Sequence, residues 1–292
     1  MGLSTGTPLR YPGGKGRIGQ WLGELMRYNK ISGGTYAEPY AGGAGAATYL
    51  LFSGYVNYVI INDIDTAIYA MWNSILHNTE EFLGMLEAVP ININSWIKQK
   101  KIINNPDSQS LLDLGFAAFF LNRTNISGII KGGVIGGKEQ TGKYKMNARF
   151  NKADLAARIR RIAGYKNSIS VHNDDAMDFI DKIAEKLPKK TMLYLDPPYY
   201  QKGSQLYRNH YKHDDHVKIA GKIKNIERPW LITYDDCETI RELYRDCPGG
   251  EFSLRYSAGL RRKGPATELM FYGNMELNSF PSLINQDQHS CT

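Results

Sequence analysis

The stretch "TMLYLDPPYY", Thr191 to Tyr200, constrains this chain more than any other. Its apolar run reads as a buried strand, and Asp196 stands where the strand stops. Pro197 and Pro198 lack the N–H that would extend a sheet; each locks its own φ and holds the residue before it extended. A carboxylate and its adjoining carbonyls are thereby fixed beyond a strand end, with the flat ring of Tyr199 beside them. In an open α/β sheet, ligands bind outside the carboxyl ends of the strands, so this corner is expected to face a binding crevice. The plainer reading is a turn in which Asp196 caps a helix and the prolines only stop the strand.

The remaining strands fit one parallel sheet. "TYAEPYAGGAGAATYLL" reads as a strand, a glycine turn at Ala41 to Gly45, and a helix from near Ala46. "NYVIINDID" follows after one helix length, which makes a βαβ unit. Strand patterns resume at "NSISVHND", "TMLYL" and "RPWLITYDD", and "EFSLRYS" with "TELMFYGN" reads as a closing antiparallel hairpin. Between them lie helical patterns, among them "SLLDLGFAAFFLNR" and "KADLAARIRRIA". The expected organisation is a sheet built from residues 1–73 and 167–274, a mainly helical inserted domain at 74–166, and a polar, loosely ordered tail at 275–292.

Several function classes drop out. No Lys-Ser/Thr follows the glycines, which argues against a nucleoside triphosphatase. Cys237, Cys247 and Cys291 are odd in number and lack metal-ligand or disulfide spacing, so neither a structural metal nor a disulfide framework is expected. With no apolar leader and no run of ~20 apolar residues, the chain reads as a soluble cytoplasmic protein with no membrane partner. None of the cysteines follows a proline, which disfavours the nucleophile used in cytosine-C5 methylation. His210, His213 and His216 have a three-residue rhythm that reads more simply as a solvated helix start than as a metal site.

Charge points to a polyanion. The net charge is +7, yet Arg123 to Lys166 carries eleven Lys/Arg against Glu139 and Asp154, a larger excess than that of the whole chain. Lysines 131, 143 and 145 and arginines 123 and 149 lie in this block among six glycines and Tyr144, which implies loop or hairpin more than a helical face. Nucleic acid is the natural partner, because each neutralised phosphate releases condensed counterions.

The glycine turn and the acid ending the second strand suit a nucleotide-like cofactor, since glycines admit a ligand to the backbone and Asp63, 18 residues past Gly45, suits the hydroxyls of a ribose. NAD, FAD and S-adenosylmethionine all remain open, as does a simple tight turn, because Thr48 stands where GxGxxG has its third glycine. At Asp196 the two acceptors and the ring suit a planar base with an exocyclic amine. Such an amine is a poor nucleophile until acceptors on its N–H bonds draw it pyramidal and release its lone pair.

Together, "LRYPGGK" (Leu9 to Lys15), "EPYAGGAG" (Glu38 to Gly45), "NDID" (Asn62 to Asp65), "FFLNRTNISGI" (Phe119 to Ile129), "DPPY" (Asp196 to Tyr199) and "TELMFYGN" (Thr267 to Asn274) carry a resemblance. The chain resembles the Dam-type adenine-N6 DNA methyltransferases, including their phage and restriction-system relatives. The resemblance implies a Rossmann-like methyltransferase sheet with an inserted target-recognition domain, S-adenosylmethionine as donor, and a flipped-out adenine in double-stranded DNA. Carried over by position, Tyr11, Lys15, Gly43, Gly45, Asp63, Asp175 and Asp196 would meet the donor. Asp196, the Pro197 carbonyl and Tyr199 would hold the adenine. Asp174, adjacent to Asp175, keeps that assignment open. DNA contact would fall to Arg123, Asn125, Ser127, Lys131, Lys143, Lys145 and Arg149, with Arg261, Arg262 and Lys263 as a further basic loop. Ile126 and Ser127 replace the family's base-reading residues and Lys131 its arginine, so recognition of GATC is not expected. A cognate restriction endonuclease is a partner the family allows. Cytosine-N4 or RNA adenine methylation, a nicotinamide-dependent oxidoreductase and a DNA-binding protein without catalysis are the competing functions.

Overall fold

The computed structural model describes residues 6–10, 15–200, 211–254 and 266–281. In chain order the elements are α1 (Gly19–Tyr28), β1 (Thr35–Glu38), α2 (Gly45–Phe52), β2 (Tyr58–Asn62), α3 (Thr66–His77), α4 (Thr79–Ala88), α5 (Ile93–Asn104), α6 (Leu111–Thr124) and α7 (Lys152–Ala163). β3 (Ile169–His172), α8 (Ala176–Ala184), β4 (Thr191–Leu195), α9 (His213–Lys224), β5 (Trp230–Asp235), α10 (Glu238–Leu243), β6 (Gly249–Leu254) and β7 (Ala266–Gly273) complete them.

The seven expected strands form one sheet in the order β3-β2-β1-β4-β5-β7-β6. The first five are parallel to their neighbours; β7 runs antiparallel to β5, and β6 antiparallel to β7. The fold is therefore the expected Rossmann-like α/β type, with the closing hairpin in its expected place. β1, β4 and β5 are buried along their whole length, as covered parallel strands must be. Sequence order reverses between β1 and β4, and such a switch point opens a crevice at the carboxyl ends of the strands.

One face of the sheet carries Ala37, Leu193, Leu195 and Ile232 against Phe179 of α8, Ile219 and Ile223 of α9, and Ile240 of α10. The other carries Tyr36 and Ile61 against α1, α2 and α3, and this apolar cluster continues into Phe116, Phe119 and Phe120 of α6. α6 lies so close on α3 that a Cβ on Gly115 would come within 2.5 Å of the Ala70 carbonyl oxygen. The helices of 74–166 thus share a core with the sheet. Phe119 is fully buried between Phe82, Phe116 and Phe150. Phe119→Ala is expected to cost about 3–5 kcal/mol, read from urea denaturation.

α2 starts at Gly45 through an unusual turn: Gly42 and Ala44 have φ of 47° and 42°. A side chain on Gly45 would press on the backbone nitrogen of Gly16 at 3.1 Å. Thr48 is accommodated because its buried hydroxyl donates to the Ala44 carbonyl at 2.8 Å.

Contrary to the expectation of a loose tail, the chain just after β7 is tied to α1. The Glu276 amide donates to Asn29 Oδ1 at 2.8 Å, and Trp21 Nε1 to the Ser279 carbonyl at 3.1 Å. Residues 282–292 lie outside the described residues.

Candidate active site

Asp196 leaves the end of β4 one-fifth exposed, and its two oxygens face different surroundings. Oδ1 accepts from Thr233 Oγ1 of β5 at 3.0 Å and pairs with Lys15 Nζ at 3.2 Å. Oδ2 accepts no hydrogen bond from a described residue. Lys15 is buried and makes its shorter ion pair, 2.9 Å, with Glu268 of β7. Glu268 also accepts from the Tyr199 hydroxyl at 2.6 Å, which fixes the ring that follows Pro198. Thr233 is aligned by the Tyr194 hydroxyl at 2.9 Å. The rigid corner read from the prolines is thus held by the N-terminal segment and by two neighbouring strands.

A row of acids runs along the same edge of the sheet. Glu38 ends β1 buried; Tyr36 donates to its Oε1 at 2.9 Å, while its Oε2 has no hydrogen-bond partner among the described residues. Burial, with the charge of Asp196 adding to it, pushes the Glu38 carboxyl up to about 8. Past β2, Asp63 accepts from the amides of Gly42 at 2.8 Å and Asp65 at 2.9 Å, so it braces the glycine turn. Burial lifts Asp63 to about 7, with the neighbouring charge of Asp65 adding to it. Past β3, Asp175 caps α8 through the Met177 amide at 2.8 Å, whereas Asp174 pairs with Lys182 at 2.6 Å. In sheet order the edge therefore presents Asp175, Asp63, Glu38 and Asp196. Gly43 is buried in the turn and Gly45 opens α2; Tyr11 lies outside the described residues.

The residues expected at DNA divide into two sets. Ser127, Lys131, Lys143, Lys145 and Arg149 lie at least partly exposed, Ser127 in a left-handed conformation with φ 57°. Lys145 Nζ donates to the Gln140 carbonyl. Ile126, beside Ser127, is 57% exposed. Arg123 and Asn125 turn inward instead. The Arg123 guanidinium donates to the carbonyls of Arg149 and Pro8, and burial lowers it to about 10. Asn125 is fully buried: it accepts from Trp96 Nε1 at 2.7 Å and donates to the carbonyls of Ile129 and Ile130 at 2.9 and 3.0 Å. These two build the base of the loop. Asn122 splints that base to the N-terminal segment, exchanging two 2.8 Å bonds with the backbone of Arg10 and donating to the Gly128 carbonyl. Residues 261–263 and His210 lie outside the described residues.

A family model described as "D12 class N6 adenine-specific DNA methyltransferase" matches residues 11–261. The chain belongs to this family. Among solved structures, the chain is similar to a SAM-dependent methyltransferase from Agrobacterium tumefaciens at 13% identity, with a TM-score of 0.39, covering 88% of this chain and 61% of that one. It is also similar to a putative class I S-adenosylmethionine-dependent methyltransferase from Listeria monocytogenes at 10% identity, with a TM-score of 0.37, covering 96% of this chain and 65% of the other. The chain thus spans less than two thirds of either structure. No curated protein matches it.

In this family member the sequence reading missed Thr233, Tyr194, Glu38 and above all Glu268. A signal was present: "TELMFYGN" places an acid inside an otherwise apolar strand, and a buried carboxylate needs a partner. The histidines take no part in a metal cluster among the described residues. His216 is buried against Tyr234, and burial lowers it to about 4; His213 is exposed beside Tyr200.

Proposed function

We propose that this chain moves a methyl group from S-adenosylmethionine to N6 of an adenine flipped out of double-stranded DNA. The observation that carries the reading is Asp196: one oxygen is clamped by Lys15 and Thr233, and the other is left to a ligand at the switch point of the sheet. The residues fit the donor. Glu38 Oε2 is a buried acceptor without a donor among the described residues, which suits an ammonium group, and Asp63 and Asp175 continue the row towards where a ribose and an adenine amine would lie. S-adenosylmethionine, when bound, supplies an electrophilic methyl whose carbon–sulfur bond breaks as the nitrogen–carbon bond forms, the electron pair leaving on sulfur.

The chain's part is to hold the amine and to take up its charge. Asp196 Oδ2 and the Pro197 carbonyl accept the two N6–H bonds, which favours a pyramidal nitrogen with its lone pair released. As the nitrogen becomes positive, the fixed carboxylate stabilises it and takes the departing proton at Oδ2. The Tyr199 ring offers a stacking face, and Lys15 anchors Asp196 as well as lying near the donor. Lys131, Lys143, Arg149 and Ser127 meet the DNA from the exposed loops, with Arg123 and Asn125 shaping the loop from within. A cognate endonuclease would need the same recognition sequence.

The deciding experiment is sequencing of DNA from a methylation-free host that expresses the chain, with detection of modified adenine and cytosine. N6-methyladenine in one short motif supports the reading. Methylated cytosine, or none of either with S-adenosylmethionine still bound by the purified protein, overturns it.

Glu38 carries a separate prediction. Its folded-state pKa of about 8 stands above the 4.5 of an unburied carboxylate, so the folded chain holds a proton that the unfolded chain releases. The ligand-free protein is therefore expected to lose stability as pH rises from 4.5 to about 8, by several degrees of Tm. Glu38→Gln should flatten that fall, and S-adenosylmethionine should lessen it in the wild type only. Thermal melts across this range check the slope.

A further inference from the structure

The Lys15 ammonium lies between two carboxylates, and the distances rank them: 2.9 Å to Glu268 against 3.2 Å to Asp196. Both Lys15 and Glu268 are buried, so each charge must be balanced nearby. A lysine paired with Asp196 alone would neutralise the acceptor on which the transfer depends. With Glu268 as its nearer counter-ion, the group as a whole keeps one negative charge. That charge sits on a partly exposed corner where Thr233 and Lys15 take Asp196 Oδ1 and no described residue donates to Oδ2. Glu268 also holds the Tyr199 hydroxyl at 2.6 Å, so one carboxylate sets both the charge beside the adenine and the ring expected to stack on it.

We infer that Glu268 is a positioning residue of the transfer step, balancing Lys15 so that Asp196 remains a strong acceptor and fixing the Tyr199 ring. The inference rests on the methyl-transfer reading above. Glu268 acts through Lys15, Tyr199 and Asp196, and it lies across from Asp235 in the register of β5 and β7. Asp235 is occupied in turn by the Tyr200 amide at 2.9 Å. Burial raises the Glu268 carboxyl, Lys15 opposes the rise, and Asp196 adds to it. Because the step needs Glu268 ionised, activity falls as pH drops through its pKa.

The test is Glu268→Gln, which keeps size and hydrogen-bonding reach but removes the charge. Methyl transfer is measured in single turnover with DNA and S-adenosylmethionine saturating, beside the wild type. The expected result is a maximal rate lowered on the order of 10- to 100-fold, KM for both ligands changed by less than about threefold, and an acid limb of the pH–rate profile moved to lower pH. In a Lys15→Gln background the same substitution should add little, because the charge it balances is gone. A wild-type rate with an unmoved acid limb overturns the inference. So does a lower rate with the acid limb unmoved, which marks a merely structural role. Should the glutamine variant fail to fold, Tyr199→Phe keeps the ring and removes the hydroxyl that donates to Glu268 and accepts from Lys15 Nζ at 3.5 Å; a several-fold slower transfer supports the inference, and a wild-type rate overturns it. Failure of the wild type to methylate any DNA would instead remove the reading beneath it, so the two failures are told apart in one experiment.

Discussion

Asp196→Ala is expected to reduce methyl transfer by about 10³-fold or more while leaving DNA affinity within a few-fold. The loss is large because the substitution removes an acceptor that acts at the moment charge develops on N6, not one that holds the duplex. Folding should survive: Lys15 keeps its shorter ion pair with Glu268, and Thr233 keeps Tyr194, so no buried charge is stranded. Transfer of a labelled methyl group measures the first quantity, and a gel-shift titration the second. An Ala variant with wild-type activity would sink the mechanism; a variant that binds DNA hundreds of times more weakly would show Asp196 to be a DNA-holding residue instead.

The frame of this site was legible because it depends on periodicity and punctuation. Apolar runs ended by acids placed Asp63 and Asp196 at strand ends, and two prolines marked the corner. What escaped depends on direction, which spacing does not encode. Arg123 and Asn125 stand in a basic, glycine-rich stretch and read as DNA contacts, yet the loop they belong to needs its own carbonyls satisfied, and those two side chains satisfy them. Lys15 reads as a donor contact from its motif, but its nearest charges are Glu268 and Asp196, which come from strands more than 150 residues away in sequence. α1 was not among the expected elements, and its exposed side holds the segment after β7 through Trp21 and Asn29. Local pattern specified the elements; pairing of buried polar groups decided which side chains remain for a ligand.

Replacing Lys131, Lys143 and Arg149 together by glutamine is expected to flatten the salt dependence of DNA binding without touching catalysis at saturating DNA. All three are exposed, and among the described residues none is in a salt bridge. Each phosphate contact contributes about 0.9 to the slope of log affinity against log salt, so the triple variant should be shallower by about 2 to 3. Affinity should fall most at low salt and converge with the wild type as screening grows, because exposed charges are the ones that salt masks. The inward-turned Arg123 makes the internal control. Its guanidinium already serves the carbonyls of Arg149 and Pro8, so Arg123→Gln should disturb the loop and weaken binding while leaving the slope nearly as it was. A triple variant with an unchanged slope would mean that the duplex lies on some other face, and a slope change for Arg123→Gln of about one unit would mean that this arginine turns outward to a phosphate when DNA arrives.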